Sequence, residues 1–165
     1  MRRLLLTGAA TLLGACAAPA LQPGGGLVPG QSTETDVQRV MGSPAEKLAA
    51  RGGGETWFYP TTPEGRMTYA ARLQPDGVLS SFDQRLTKEN ISKVVEGKST
   101  REDVRELFGP PFLTYRTRLG FEEWDYRVEV DMRKFDFLVD FGDDGIVKKA
   151  WLLHDPIYDA PGPRG

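Results

Sequence analysis

The chain has 165 residues, 21 Lys and Arg against 23 Asp and Glu, and a net charge of −2. That length suits about one domain, and the charge argues against a nucleic-acid binder, which would usually show a basic face. One cysteine and one histidine exclude an internal disulfide, a cysteine zinc site and a multi-histidine metal cluster.

Arg2 and Arg3 precede a ten-residue, mostly apolar run from Leu4 to Leu13. Such a run is too short to cross about 30 Å of hydrocarbon as a helix and has the form of a secretory signal. It ends in Leu13-Gly14-Ala15-Cys16, which resembles the bacterial lipobox cut before its cysteine. The resemblance implies a signal peptide over 1–15 and diacylglycerol plus acyl (palmitate-type) chains on Cys16. Two or more such chains anchor a protein stably. Ala17, in place of the aspartate that commonly marks inner-membrane retention, favours the outer membrane. Removing Arg2 and Arg3 leaves 19 basic against 23 acidic residues, or −4. Residues 16–29 are mostly small residues, Pro and Gly, and are expected to be lipid anchor and flexible tether.

The body repeats. With the chain displaced by 67 residues, the 32 pairs from 29/96 to 60/127 contain twelve identities, where unrelated segments would give about two. They include Gly30/Gly97, Thr33/Thr100, Asp36/Asp103, Gly42/Gly109, Pro44/Pro111, Trp57/Trp124 and Tyr59/Tyr126. A one-residue slip then aligns Asp76-Gly77 with Asp144-Gly145. Self-similarity at a fixed period indicates duplicated structural units.

In chain order, Thr33 with Asp36 has the spacing of a capping box. Val37, Val40 and Met41 follow as an apolar helical stripe. Gly42 is expected as a left-handed C-cap, and Pro44 ends the helix. Trp57 and Tyr59 alternate, as do Met67, Tyr69, Ala71 and Leu73, and Asp76-Gly77 predicts a hairpin into a third strand over 78–82. Residues 87–96 form a lead-in helix with Ile91, Val94 and Val95 on one face. Thr100 and Asp103 then repeat the cap, Val104, Leu107 and Phe108 the stripe, and Gly109 and Pro111 the stop. Trp124, Tyr126, Val128 and Val130 alternate, as do Phe135, Phe137, Val139 and Phe141, before a strand over 146–153. A unit of about 67 residues is marginal alone. The expectation is an α+β fold of two tandem helix-plus-three-strand modules, 30–86 and 87–165. Their helices would pack on one face of antiparallel sheet and share a core.

The second unit is similar to the SmpA/OmlA (BamE-like) small outer-membrane lipoproteins. Leu86-Thr87, Ile91, Val94, Gly97, Thr100, Val104, Phe108-Gly109, Pro111, Trp124 and Tyr126 carry the resemblance. The first unit matches at Gly30, Thr33, Val37, Gly42, Pro44, Trp57 and Tyr59. The resemblance implies periplasmic exposure and an accessory role, by binding rather than chemistry, with the β-barrel assembly machinery or in envelope integrity. Tandem modules also resemble the β-lactamase inhibitory protein, so inhibition of a periplasmic hydrolase is the alternative.

No catalytic motif, phosphate loop or cofactor site is present, and no enzyme activity, cofactor or metal is expected. His154 is expected to lie beyond the last strand as an exposed or capping residue. The Trp57/Tyr59 and Trp124/Tyr126 pairs are expected to anchor each sheet to its helix. The segment from Pro110 to Phe121 is expected to be a loop. Its Phe112, Tyr115, Arg116, Arg118 and Phe121 have the aromatic-plus-arginine composition of partner-binding anchors.

Overall fold

The computed structural model describes residues 23–154, so the signal peptide and Cys16 lie outside the described residues. Two helices start on reciprocal caps. Thr33 Oγ1 accepts the Asp36 N–H and the Asp36 carboxylate accepts the Thr33 N–H at 2.9 Å, opening α1 (Glu34–Met41). Thr100 and Asp103 repeat this at 3.1 and 2.8 Å for the helix Arg101–Phe108. Each pair satisfies backbone donors that a helix N-terminus leaves open. Gly42 and Gly109 end these helices at φ 77°, ψ −156° and φ 78°, ψ −154°. This is not the left-handed cap expected. It is the extended positive-φ region, essentially open to glycine alone, and it redirects the chain into Pro44 and Pro111.

The expected stripe of α1 is narrower than its sequence spacing. Val37 is buried and Met41 packs against the core, but Val40 is exposed. The lead-in helix is also shorter than 87–96. It is the single turn α2 (Lys88–Ile91), with the later helix Arg101–Phe108 being α3. Asn90 Nδ2 donates to Arg85 O at 2.9 Å. Farther on, Val95 N donates to Ser99 Oγ at 3.0 Å and Gly97 N to Val147 O at 2.8 Å. Local turn bonds and the one bond to Val147 in a distant strand replace the helical ones. Ile91 and Val94 still reach the core, while Val95 is exposed.

The first unit makes the same turn without a helix. Val28 N donates to Ser32 Oγ at 2.9 Å and Gly30 N to Leu79 O at 2.8 Å. Leu27 packs on the first core and Gly24 lies against Phe82. The stretch from Gly24 to 29, expected as free tether, is therefore in contact with the first unit.

Alternating residues then build two four-stranded antiparallel sheets. The first contains β1 (Glu46–Ala49), β2 (Glu55–Pro60), β3 (Thr68–Leu73) and β4 (Leu79–Gln84), in that order. The second contains β5 (Leu113–Arg116), β6 (Glu122–Val130), β7 (Arg133–Phe141) and β8 (Val147–His154). Each sheet has one strand more than the three expected. The added edge strands are β1 and β5, and β5 occupies the segment expected as a loop. His154 is the last residue of β8, with its ring edge-on to Phe135 at 5.2 Å, rather than beyond the strand. Both Asp-Gly hairpins are present, with Gly77 at φ 81° and Gly145 at φ 76°. Bulges fall at Arg72/Leu73 and Asp140/Phe141.

The units do not share a core. One cluster joins Val37 to Trp57, Tyr59, Ala71, Leu73 and Leu79. The other joins Val104 and Phe108 to Trp124, Tyr126, Phe137 and Val139, among others. Between them, residues of α3 meet the first sheet. Arg105 pairs with Glu46 at 2.9 Å, Glu106 takes Arg51 at 3.1 Å, and Phe58 lies against Gly109. The whole is a mixed α/β fold with one cluster centred in each unit; Leu86, at the end of the first unit, packs in the second cluster, and the seam is partly ionic.

Candidate functional site

Strand alternation sends every second side chain of the second sheet away from its core. Trp124, Tyr126 and Val128 face inward, so Glu123, Asp125 and Arg127 face outward. Cross-strand register then fixes their neighbours. Glu123 pairs with Tyr115 and Asp140, Asp125 with Leu113 and Leu138, and Arg127 with Asp136. On β8, Lys149 stands opposite Asp140, Trp151 opposite Leu138 and Leu153 opposite Asp136. This outer face has carboxylates at its middle and apolar side chains at both edges.

The carboxylates are withdrawn from solvent. Glu123, Asp140 and Asp125 are 5, 8 and 9 % exposed. Tyr115 donates its hydroxyl to Glu123. Asp125 Oδ1 and Asp140 Oδ1 have no hydrogen-bond partner. Burial raises the Glu123 pKa to about 7, helped by the hydrogen bond and charge of Asp140 and the charge of Asp125. Burial also raises Asp125 to about 6; Asp136 adds to the rise, and Arg127 and Arg66 oppose it. Removing such groups from water disfavours their charged form.

Two nearby cations lie over aromatic rings. The Arg127 guanidinium lies 3.6 Å from the centre of the Phe112 ring, and Lys149 Nζ lies 4.6 Å from that of Trp151. Arg66, in the loop 61–67, is buried with Nη1 at 3.4 Å from Val128 O. Among the described residues, no group of three or more His, Cys, Asp or Glu is placed to hold a metal ion.

The five residues expected to bind a partner do not form one patch. Tyr115 is on the outer face of β5 and exposed, with its hydroxyl on Glu123. Phe112 precedes β5, beneath Arg127 and beside Gly65. Arg116 lies on the other side of the strand and donates to Gly120 O at 2.9 Å. Arg118 is exposed in the β5–β6 turn, and half-buried Phe121 leads into β6. Sequence spacing missed the carboxylates because they come from two strands joined only by register. The repeat holds the signal. At positions matching Thr56, Phe58, Ala70 and Arg72 of the first sheet, the second has Glu123, Asp125, Leu138 and Asp140.

Among the described residues, no helix is long and apolar enough to cross a membrane. No curated protein and no solved structure matches the chain. Residues 84–150, from the end of β4 into β8, match the family model described as the Outer membrane protein assembly factor BamE domain.

Proposed function

We propose that the chain is a lipoprotein anchored through Cys16 to the outer membrane, facing the periplasm. It acts by protein–protein contact as an accessory or scaffold in outer-membrane protein assembly. The match of residues 84–150 to an assembly-factor domain carries this reading. It is a non-catalytic role, with the β-barrel assembly machinery as the expected partner.

In this reading both units, 30–86 and 87–165, are BamE-like modules, each with its helix packed on one sheet face. Equivalent hydrogen bonds support the duplication. Trp57 Nε1 donates to Glu55 at 2.7 Å and Trp124 Nε1 to Glu122 at 2.8 Å. Leu79 N donates to Ser32 O and Val147 N to Ser99 O, both at 2.8 Å. The contacts of Val37 and of Val104 with the strands of their own unit support the packing.

Deleting the gene and measuring porin levels with detergent and vancomycin sensitivity tests the role. Lower porin and higher sensitivity are expected, restored by the wild-type chain but not by Cys16→Ser. An unaltered envelope in all three measurements would overturn the assembly reading.

A further inference from the structure

We propose that the protein self-associates head to tail. The solvent side of α1 in one copy docks on the outer face of the second sheet in the next, with Arg39 meeting Asp140 and Asp36 meeting Arg118. This goes beyond the assembly role proposed above and does not depend on it.

The two units already stack this way within one chain. There, α3 meets the outer face of the first sheet: Asp103 and Glu106 take Arg51, Glu106 also stands 4.0 Å from Arg72, and Gly109 lies against Phe58. By the repeat and the strand register, the matching helix residues of the first unit are Asp36, Arg39 and Gly42. The matching sheet residues of the second are Arg118, Asp140 and Asp125. Arg39 is exposed, Gly42 has nothing within 4 Å of where a Cβ would stand, and exposed Arg118 has no ion pair among the described residues. On β5, Leu113 and Tyr115 are exposed, whereas the equivalent Glu46 and Leu48 on β1 are half-buried. Stacked repeats cover a face at each junction and leave one uncovered at each end. In this chain those ends are α1 and the second sheet.

Charge complementarity assigns the occupant to a second copy. Between the repeats, Glu106 on the helix corresponds to Arg39, and Arg72 on the sheet to Asp140. The sign is reversed on both partners, so the pair stays opposite in charge. Asp103 and Asp36 share a sign, as do Arg51 and Arg118. A reversal on one side alone would have set like charges together, which is costly at an interface. An unrelated helix has no reason to match in this way. The turns that carry the two arginines also agree: Gly53 N donates to Ala50 O and Gly120 N to Thr117 O, both at 3.0 Å. Arg39 pairs with Asp36 within α1, so the docked charges would alternate as Arg118, Asp36, Arg39 and Asp140. Asp140 Oδ1 has no hydrogen-bond partner, which leaves an acceptor for the Arg39 guanidinium. Asp125 has Arg127 and Arg66 near enough to favour its charged form, and would face only Gly42.

The junction between copies is weaker than the seam within one. Gln38 stands where α3 has Arg105 and Leu113 where β1 has Glu46, so that ion pair has no counterpart. Asp125 stands where Phe58 packs on Gly109. Association should therefore be reversible and weakened by salt. Because two different surfaces meet, each copy keeps a free α1 at one end and a free sheet at the other, and further copies can add.

The test uses the full chain in detergent micelles, with empty micelles in excess. A photo-reactive phenylalanine in place of Tyr115 should crosslink to residues 34–42 of a differently tagged copy. Arg39→Glu in the tagged copy, or Arg118→Glu in the photo-reactive one, should weaken association at least about tenfold by setting like charges together. Arg133→Glu, the same charge change at the exposed start of β7, should leave it unaltered. The two defective variants should also complement each other. Neither associates alone, but Arg39→Glu keeps an intact sheet and Arg118→Glu an intact helix face, so their mixture should form pairs that stop at two chains. Light scattering reads this. Arg39→Glu combined with Asp140→Arg should restore self-association; thermal melts check folding, and if that variant does not fold the mixture decides. Absence of a crosslink between copies, indifference to both glutamate variants, or a mixture no better than its parts overturns the proposal. So does a crosslink from position 115 to residues 155–165 of the same chain, or in cells to a different protein in place of a second copy, since each assigns the face to another occupant. The envelope phenotype of gene deletion bears on the assembly role alone.

Discussion

Gly109 lies so close to Phe58 that a Cβ built on it would stand 2.5 Å from the ring carbon Cδ1. The matching Gly42 shares its backbone conformation and has nothing within 4 Å of the same point. The pair separates backbone strain from contact between units.

Gly42→Ala should cost only the strain of positive φ in this extended region, about 1–3 kcal/mol. Gly109→Ala should cost that and, because Phe58 must be displaced, about 2 kcal/mol more. Urea unfolding of the two variants measures the difference. Phe58→Ala should partly relieve Gly109→Ala, giving non-additive losses. Equal losses for the two alanines would mean that the seam yields freely.

Stability should also depend on pH in both directions. Burial and neighbouring carboxylates raise Glu123 to about 7 and Asp125 to about 6 in the folded chain. A raised carboxylate favours the fold where it is protonated, so this contribution is complete below the unfolded value near 4 and is lost as pH rises through 6 to 7. The opposite set is Asp36, Asp103, Glu122 and Asp144. Asp36 and Asp103 are lowered chiefly by backbone hydrogen bonds from Thr33 and Thr100, Glu122 by Trp124, and Asp144 by Lys148. Their stabilisation is present above the unfolded value and fades as pH falls below about 4. Melting temperature should therefore peak near the unfolded carboxylate value, about pH 4, and fall from there to about pH 7. Glu123→Gln should flatten the alkaline side alone. If that variant keeps the full slope between about pH 4 and 7, Glu123 is not its source.

Local chemistry written in consecutive residues was legible. The caps at Thr33 and Thr100, the stops at Gly42 and Gly109 and the Asp-Gly hairpins are all visible from spacing. What was not legible depends on pairing between distant segments. Strand β1 reads Glu-Lys-Leu-Ala and β5 reads Leu-Thr-Tyr-Arg, and all four residues of β5 are exposed. Edge strands that bury so little carry no alternation to read. The spacing of Ile91, Val94 and Val95 suggests helix beyond Ile91, yet Gly97 bonds to Val147, fifty residues on. The candidate site failed for a related reason. Glu123 and Asp140 become neighbours only through the β6–β7 register. Tyr115 was found through its aromatic character, but its hydroxyl contact with Glu123 needed the fold.

The two capping aspartates make unequal demands. Asp36 pairs with Arg39 in its own helix, whereas Asp103 also takes Arg51 from the first unit. Asp36→Ala should destabilise α1 modestly, by removing the carboxylate that accepts the Thr33 N–H. Asp103→Ala should cost more, by the few tenths to 1 kcal/mol of a partly exposed pair. Salt should narrow the gap, because screening weakens the ion pair and spares the backbone bonds. Chemical unfolding at low and high salt checks this. A gap unchanged by salt would remove the Arg51 pair as its cause.

The β6–β7 turn is the place where the chain should be easiest to stabilise. Asp131 and Met132 have φ of 51° and 61°, and Met132 is 93 % exposed. Consecutive positive φ at a two-residue hairpin suits Asn-Gly, not a side chain as large as methionine. The strain has no packing to offset it, since Met132 is so exposed and Asp131 makes only a surface pair with Lys88 at 3.5 Å. Asp131→Asn with Met132→Gly should raise stability by about 1 kcal/mol. A lower melting temperature for this variant would show that Met132 makes a stabilising contact in the full chain.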